Sequence, residues 1–425
     1  MPEGHFFASK RFSMNGVNID RVLEKYATPF YLYSAELIRK KYRQLERWFP
    51  GFSVFYSLKA NPNLAICKVL LSLGARAEVS SLGELKTALE AGFKPGNIIF
   101  VGPGKTKGEI EYAVRRGIRA LAVESGHELR LIESIAEDLD KSVSVLLRIN
   151  TCKRPKVAPE IMVGGPSKFG FDEESVVDQV LGIELRRVKL IGIHVYSASQ
   201  VLDSNFICEQ LENILQVSLR LSKEIGFQVR CVDFGGGFGI PYQQKERELD
   251  FEKISEKAKY LLKKYGESLA DCVYILEVGR YLVAEAGVFV TKVVRIKQSR
   301  GENFVITDAG MNHLTRPAFM RMNHPIRILN KVASENWAKF NVCGPCCTPL
   351  DVLGTAVELP MPEEGDIIGI LNAGAYGYTM SMPNFLSFGS PKEIMIDKEK
   401  IHQIRRTLRP EESFEDQLVV DGEYQ

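Results

Sequence analysis

A lysine at the end of an apolar segment is the first residue of this chain whose position indicates chemistry. Segment 53–61 predicts a buried strand that ends near Lys59. Asn61 and Pro62 then predict a helix start, with Asn61 as the N-cap. A buried ammonium group is costly to keep charged, which favours a neutral, nucleophilic amine. The alternative is a lysine that extends its charge into solvent.

Glycines and an arginine follow two later predicted strands, 230–234 and 273–278. They are Gly235, Gly236 and Gly237 after the first strand, and Gly279 and Arg280 after the second. Successive glycines let backbone N–H groups approach phosphate oxygens, and an arginine adds a bidentate contact. The spacing is not that of the dinucleotide motif, and the segment from Gly102 to Thr106 lacks the first glycine of a Walker A motif. A smaller phosphate ligand is therefore predicted.

A reactive lysine and a phosphate cradle together favour pyridoxal 5'-phosphate, held by Lys59 as a Schiff base. Such a cofactor needs an acid opposite its pyridine nitrogen, and Glu277 ends the eighth predicted strand. His194 ends the sixth strand and is expected to stack on the ring. Taken singly, these residues, like Arg148 and Asp233 at other strand ends, are better explained by packing or salt bridges. Their convergence on one rim favours a site.

The elements that must position these residues are short β-branched segments that alternate with helical ones from residue 53 to residue 280. The predicted strands are 53–59, 75–80, 97–102, 120–124, 142–149, 189–196, 230–234 and 273–278. Capping boxes begin three of the helices, at Ser81/Glu84, Thr106/Glu109 and Ser125/Glu128. Eight such units predict an α/β fold, a closed (β/α)8 barrel with reactive groups at the carboxyl ends of its strands. The runner-up is an open doubly wound sheet.

The pattern of residue types along the sequence changes near residue 285. Short β-type runs separated by glycine-rich turns predict a β-rich second domain, a barrel or sandwich, and the early run 28–33 is expected to pair with its strands. The predicted domains are a cofactor-binding barrel over 35–285 and a β-rich domain formed by 1–34 with 286–425. The later β-type runs are 288–296, 303–308, 340–342 and 366–371.

Composition excludes several classes of function. The 425 residues include 55 basic and 53 acidic ones, so no net field favours nucleic acid or a membrane surface. No apolar segment approaches the roughly 18 residues that span a bilayer. Eight cysteines are too few for a disulfide framework and fit a reduced, cytoplasmic setting.

Several motifs occur together in this chain. They are Tyr56-Ser-Leu-Lys-Ala-Asn61, Ser167-Lys-Phe-Gly170, Asp233-Phe-Gly-Gly-Gly-Phe-Gly239, Glu277-Val-Gly-Arg280, Asp308-Ala-Gly-Met-Asn312, Cys347 with Asp351, and Gly374-Ala-Tyr-Gly377. With them the chain resembles the fold-type III pyridoxal-phosphate decarboxylases, the diaminopimelate and ornithine decarboxylase family, over about residues 25 to 395.

The resemblance implies roles for individual residues. It makes Lys59 the Schiff-base lysine, His194 the ring-stacking residue and Glu277 the partner of the pyridinium. It implies a homodimer with shared active sites, to which the β-rich domain contributes. Cys347 of the partner subunit, with Asp351 nearby as a further catalytic residue, would protonate the carbanion after CO₂ leaves. The further cofactor-binding residues are Arg148, Ser199, Gly235, Gly236, Gly237, Gly279, Arg280 and Tyr376.

The cysteines admit two other interpretations. Cys343-Gly-Pro-Cys346 has the spacing of a thioredoxin redox motif, but that motif needs a strand-to-helix turn in a small βαβ domain. A zinc site lacks a second ligand pair at suitable spacing, so no metal is predicted. Alignment with the family places the catalytic thiol at Cys347 and not at Cys346.

Departures from the family pattern bear on the substrate. Thr348 stands where diaminopimelate decarboxylases carry the glutamate that holds the distal amine, and Met320 replaces a tyrosine of the Arg316 segment. The loop 194–200 is two residues longer than usual. A neutral hydroxyl cannot compensate a buried ammonium, so the far end of the substrate is predicted not to be an amine. The predicted substrate-binding residues are Asp308, Arg316, Met320, Thr348 and Tyr376.

Thr348 and the longer loop resemble a subgroup of secondary metabolism that includes the butirosin-pathway decarboxylase, which acts on a glutamyl group tethered to an acyl carrier protein. The chain is thus predicted to decarboxylate an L-amino acid, free or bound to a carrier protein as a further partner. The alternatives are an authentic meso-diaminopimelate decarboxylase, a pyridoxal-phosphate racemase and a non-catalytic pyridoxal-phosphate carrier. A racemase needs a second base, and the carriers usually lack a β-rich domain.

Overall fold

A computed structural model of the chain describes residues 11–153, 160–331 and 336–418. The described chain divides into two compact units. One comprises Ile38–Pro241 and Lys245–Leu282, and the other comprises Tyr242–Gln244 with the described residues up to Leu37 and from Val283 onward. The ends of the predicted second domain, residues 1–10 and 419–425, lie outside the described residues.

The first unit is a closed barrel of eight parallel strands. The last strand pairs with the first, and the fourth pairs with the fifth, so the sheet closes on itself. The predicted barrel is confirmed, and the doubly wound alternative is wrong. The strands are Phe52–Ser57, Arg76–Val79, Ile98–Phe100, Ala120–Val123, Val143–Asn150, Val188–His194, Cys231–Asp233 and Val273–Val278.

Helices precede, connect and follow these strands. Thr106 forms a complete capping box with Glu109. At Ser81 and Ser125 the hydroxyl also accepts the expected glutamate N–H, but each glutamate carboxylate accepts the N–H of the residue before the cap. The helices are Ala35–Trp48, Leu64–Ser72, Leu82–Ala91, Lys107–Arg116, Gly126–Asp138, Val176–Leu181, Ser204–Ile225, Phe251–Tyr265 and Arg280–Val283.

The predicted helix start at Asn61 is wrong. The strand ends at Ser57, and a 3₁₀ turn, Leu58–Ala60, carries the lysine. The helix begins at Leu64, where Asn63 is the cap and accepts the N–H of Ala65 at 2.9 Å. Asn61 instead accepts the N–H of Asn63 at 3.1 Å, which is an Asx turn before the helix.

The barrel interior changes from apolar to polar along its strands. Successive side chains of a strand point to opposite faces, so residues two apart share a face. Asp233 therefore points the same way as Cys231, and Glu277 the same way as Ile275. The apolar interior cluster comprises Phe55, Ile99, Ala120, Leu146, Cys231 and Ile275. Polar side chains thus occupy the interior at the carboxyl end.

The second unit is β-rich, as predicted. Phe30–Ser34 pairs antiparallel with Gly287–Ser299 and parallel with Lys392–Asp397, so early and late segments share one sheet. A short helix, Arg316–Met320, follows the strand Glu302–Thr307. The further strands of the described part of this unit are Ser13–Met14, Val17–Asn18, Ile326–Ile328, Trp337–Cys343, Val352–Pro360, Ile367–Ile370 and Lys400–Arg405. Among the described helices of the chain, none has the length and apolarity needed to span a bilayer.

Candidate active site

Three buried side chains meet at the carboxyl end of the barrel. His194, Asp233 and Glu277 come from three adjacent strands. A ring nitrogen of the histidine and one carboxylate oxygen of each acidic residue all lie within 4.8 Å of one another. Nε2 of His194 is 3.3 Å from Oε2 of Glu277. This spacing would suit a metal ion as well as an organic cofactor, and the surrounding groups decide between the two.

The charges in this cluster are unequal. Burial alone would raise the pKa of Glu277, but His194, Lys59 and Arg148 together lower it. Burial and the charge of Glu277 raise the pKa of Asp233 well above its ordinary value. Oε1 of Glu277 is buried and has no hydrogen-bond partner within the described chain. The cluster therefore presents one carboxylate oxygen that can accept a proton from a ligand.

Lys59 lies on the 3₁₀ turn after the first barrel strand. Its Nζ is 3.3 Å from Oε1 of Glu78, a fully buried carboxylate, and 5.1 Å from the ring centre of Tyr196. The prediction of a neutral amine did not foresee this ion pair. Glu78 was missed, although an acidic residue between Ala77 and Val79 in a buried strand was a usable signal.

The glycine loop after the seventh strand is held tightly by its neighbours. A Cβ on Gly236 would lie 1.8 Å from the carbonyl oxygen of Glu277, and one on Gly237, whose φ is +87°, would lie 2.2 Å from that of Ala198. In the described part of the chain, the N–H groups of Gly236 and Gly237 have no protein acceptor. The loop thus offers two N–H groups in the manner of an anion cradle.

Ser199 and Arg280 also lie at this edge. Nη2 of Arg280 donates to Oγ of Ser199 at 3.4 Å, and both side chains are buried. Ser199 belongs to a two-residue strand, Ala198–Ser199, that pairs with Glu160–Ile161. The hydroxyl of Ser199 therefore lies beside the arginine. A Cβ on Gly279 would lie 2.8 Å from that of Ala60, next to the lysine turn.

Arg148 is paired with a carboxylate that sequence analysis missed. Its Nη1 is 2.7 Å from Oε1 of Glu124, and its guanidinium lies 4.5 Å from the ring centre of Phe169. Glu124 also accepts the N–H groups of Gly102 at 3.1 Å and Gly170 at 2.8 Å. This pair joins the rim to the segment 167–170. The position of Glu124, directly after the fourth strand, was the available signal.

The predicted catalytic thiol belongs to the second unit. Asp351 accepts the N–H of Met311 and that of Cys346, each at 2.6 Å, and so holds the loop that carries Cys347. Cys346 is buried, and burial and Asp351 raise the pKa of its thiol to about 12. Cys347 is exposed. The strand that contains Cys343 leads into a loop and not into a helix, unlike a thioredoxin motif.

The predicted substrate residues form separate groups within the second unit. Arg316 is buried, with its Nη1 3.1 Å from Nε2 of His324 and its guanidinium 4.1 Å from the ring centre of Tyr242. Nδ1 of His324 is 2.9 Å from the carbonyl oxygen of Leu371, which makes Nδ1 the donor and leaves Nε2 to accept from the arginine. Met320 ends the same short helix and is half-buried.

Asp308, Thr348 and Tyr376 occupy different positions in this unit. Asp308 accepts hydroxyl bonds from Thr28 at 2.5 Å and Thr291 at 2.6 Å. Thr348 donates its N–H to Cys346 at 2.8 Å, and its hydroxyl accepts the N–H of Leu350 at 3.3 Å. Tyr376 is half-buried, with a left-handed φ of 55°.

The chain is similar to known proteins over most of its length. The model of the family described as "Pyridoxal-dependent decarboxylase, pyridoxal binding domain" matches residues 35–284. The L-glutamyl-[BtrI acyl-carrier protein] decarboxylase of Niallia circulans is 37% identical over 422 residues, covering 96% of this chain and 98% of that protein. The diaminopimelate decarboxylase of Helicobacter pylori J99 is 34% identical over 411 residues, covering 95% and 98%.

Solved structures are similar over nearly the whole chain. The diaminopimelate decarboxylase of M. jannaschii superposes with a TM-score of 0.91 at 32% identity, covering 97% of both chains. The H. pylori enzyme complexed with L-lysine gives a TM-score of 0.86 at 32% identity, covering 93% of this chain and 98% of that one.

Proposed function

The chain belongs to the pyridoxal-dependent decarboxylase family. We propose the following roles for its own residues in the decarboxylation of an amino-acid substrate. The chain is a pyridoxal-phosphate-dependent carboxy-lyase. The relatives reported above are decarboxylases, so the racemase and the non-catalytic carrier are set aside.

The described residues fit the cofactor. Oε1 of Glu277 is a buried acceptor, Gly236 and Gly237 present two N–H groups, and Arg280 adds a cation beside them. When bound, the cofactor supplies a protonated pyridine ring that withdraws the electron pair left by departing CO₂. A metal ion would leave the lysine and the glycine cradle without a function.

Each group at the rim then has one task. The ε-amine of Lys59, which Glu78 holds in place, would hold the cofactor aldehyde covalently. Glu277 would accept the pyridinium N–H on its unpartnered oxygen. His194 contacts the other oxygen and so orients the carboxylate, and its stacking on the ring stays a prediction. Within the barrel unit, Ser199, Gly236, Gly237 and Arg280 would bind the cofactor phosphate.

Cys347 is the proposed proton donor and acts in the site of the partner subunit. Its exposure supports this role, because a group that serves another chain must be reachable from outside its own unit. Cys346 is unsuited, since its thiol is buried. A positioned thiol can deliver the proton that replaces CO₂. Asp351 holds the loop through two backbone bonds and is therefore assigned to positioning.

The shared site can be tested by mixing inactive subunits. Lys59→Ala and Cys347→Ala proteins are each expected to be nearly inactive. After subunit exchange, half of the dimers are mixed and each has one intact site, so activity should recover to about a quarter of wild type. No recovery in confirmed heterodimers would reject a site shared between subunits.

The proposed substrate carries no amine at its far end and is either a free amino acid or an aminoacyl group on a carrier protein. Thr348 carries this proposal, because its neutral hydroxyl is already bonded within its own loop. Arg316 is a buried cation and would repel a nearby ammonium. The Niallia relative acts on a carrier-bound glutamyl group. The second candidate, diaminopimelate decarboxylation, is favoured by the 34% identity of the Helicobacter enzyme.

A mass-spectrometric screen over free and carrier-tethered amino acids separates these candidates. An acidic or tethered substrate should turn over faster than meso-diaminopimelate. Thr348→Glu should raise the rate on diaminopimelate relative to the best substrate by about tenfold or more, since it restores a carboxylate for the distal amine. If the wild-type enzyme prefers meso-diaminopimelate to every other compound, the proposed substrate class is wrong.

A further inference from the structure

Asp233 is a buried carboxyl group that the chemistry above leaves without a task. It ends the seventh barrel strand and is fully buried. Its Oδ1 accepts the N–H of Gly235 at 2.9 Å. Its Oδ2 is also buried, and no group in the described part of the chain bonds to it. One carboxylate oxygen of Asp233 lies within 4.8 Å of a ring nitrogen of His194 and of a carboxylate oxygen of Glu277.

Two carboxyl groups this close in a desolvated space do not both ionise readily. The negative charge belongs on Glu277, because His194 lies 3.3 Å from it and the cations Lys59 and Arg148 also favour its ionised form. That assignment leaves the proton of the pair on Asp233.

The groups that face Asp233 support the same assignment. Besides His194 on the preceding strand, the titratable groups that act on it are the carboxyls of Glu277 and Glu78, and both disfavour a second charge. The bond that the structure gives its carboxyl comes from a neutral backbone N–H. Burial is the largest cause that raises the pKa of Asp233.

We propose that Asp233 is a positioning residue that stays protonated at neutral pH and joins the glycine loop to Glu277. Its Oδ1 holds the N–H of Gly235, and the proton on Oδ2 is directed at the carboxylate of Glu277. A single negative charge is thereby kept opposite the cofactor ring, and the N–H groups of Gly236 and Gly237 are kept aimed at the phosphate. The inference rests on the proposed function for the identity of the ring and the phosphate.

The variants Asp233→Asn and Asp233→Ala test whether the Asp233 side chain is a neutral group that bridges Gly235 and Glu277 or an ionised hydrogen-bond acceptor. Asparagine keeps a carbonyl oxygen for the N–H of Gly235 and supplies an N–H toward Glu277, but it cannot ionise. The Kd for pyridoxal phosphate, measured by visible absorbance, should stay within about threefold of wild type in the Asn variant and rise about tenfold or more in the Ala variant. Equal weakening in both variants would overturn the proposal.

The pH dependence of stability tests the protonation itself. The unfolded chain ionises an aspartate near pH 4, whereas the folded chain keeps this proton, so wild type loses stability relative to Asp233→Asn as pH rises above about 4. The Tm of the Asn variant minus that of wild type should therefore increase from pH 4.5 to pH 8, in full-length protein with and without added cofactor. Asp178→Asn, at an exposed position on a barrel helix, should give a flat difference.

A flat or falling difference for Asp233→Asn would show an ionised aspartate and overturn the proposal. If the Asn variant does not fold, the wild-type protein with isotope-labelled aspartate supplies the answer. Its infrared spectrum at pH 7 should contain a protonated aspartate band, and absence of that band would also overturn the proposal. Failure of wild type to bind pyridoxal phosphate would instead reject the proposed function. The stability measurement would still decide whether Asp233 is protonated, because it does not depend on the cofactor.

Discussion

The two units of this protein position their reactive groups in different ways. In the barrel, Lys59, Arg148 and Glu277 lie at strand ends, and each pairs with another buried or half-buried side chain of the same unit. In the second unit, Cys347 is exposed on a loop whose place depends on one buried carboxylate, Asp351. The barrel groups are thus held before any ligand arrives, whereas the thiol is presented outward.

This difference explains why removal of one residue should have different consequences in the two units. A buried ionic partner that is removed leaves an uncompensated charge behind, which costs stability as well as function. An exposed thiol leaves nothing uncompensated, so its removal should affect turnover alone. Substitutions in each unit can break or sharpen that contrast.

Replacement of Lys59 should have the largest effect. Lys59→Ala is expected to abolish the visible absorbance of the lysine-bound cofactor and to lower kcat by at least about 10³-fold. The variant lacks the amine that is proposed to bond the cofactor aldehyde. It also leaves Glu78 buried without its cation. Lys59→Arg is the matched control. It keeps the charge beside Glu78 but cannot form the covalent bond, so it should recover stability and not activity. An undiminished absorbance in Lys59→Ala contradicts the assignment.

Cys347 and Cys346 form a matched pair in the second unit. Cys347→Ala should lower kcat by about 10²- to 10⁴-fold while the cofactor absorbance and Tm stay close to wild type, because a general acid is lost from an exposed position. Cys346→Ala should keep kcat within a few fold and lower Tm, because its thiol is buried. Steady-state kinetics on both variants decide the matter. Loss of turnover in Cys346→Ala alone would show that Cys346 is the proton donor and that Cys347 is not.

The same contrast accounts for what sequence could predict. The eight strands were predictable because each is a local pattern, and Lys59, His194 and Glu277 followed from their places at strand ends. Glu78 and Glu124 were missed because their partners come from other strands, 19 and 24 residues away along the chain. Those partners come together when neighbouring strands pair in the sheet.

Asp351 illustrates the same limit in the second unit. Its position near Cys347 suggested catalysis, but its carboxylate bonds the N–H groups of Met311 and Cys346, the first of them 40 residues away. The predicted helix cap failed for a local reason. Asn61 and Asn63 are both good caps, but Asn61 forms an Asx turn with Asn63, and the helix begins directly after Asn63.

The buried ion pair of the barrel should contribute far more than a surface pair of the same residue types. Glu124→Gln should lower the free energy of unfolding by about 3–5 kcal/mol, because it leaves the buried Arg148 without a counter-charge. Glu111→Gln removes the exposed pair with Arg115 on a helix and should cost about 0.3–0.5 kcal/mol. Denaturant unfolding of the two variants measures the difference. Equal costs would show that the barrel pair is screened by solvent.

A smaller effect than that of Glu124→Gln, and of opposite sign, is expected at Glu84, which lies near the lysine pair of the barrel. Burial and the charge of Glu78 raise the pKa of Glu84 to about 7, although the N–H of Ser80 donates to it at 2.7 Å. Below about pH 4.5 both folded and unfolded chains hold this proton. Between about pH 4.5 and 7 the unfolded chain ionises while the folded chain does not, so stability falls as pH rises, and above 7 the difference is constant.

Glu84→Gln cannot ionise and still accepts the N–H of Ser80, so it should match wild type near pH 4.5 and exceed it by about 1 to 3 kcal/mol at pH 8. Denaturant unfolding at both pH values measures this change. Glu90→Gln, on the same helix, should show no such dependence. A Gln variant that is less stable than wild type at pH 8 would mean that Glu84 is ionised in the folded barrel. The negative charge near Lys59 would then be shared between Glu78 and Glu84, and the lysine would depend on both carboxylates for its position.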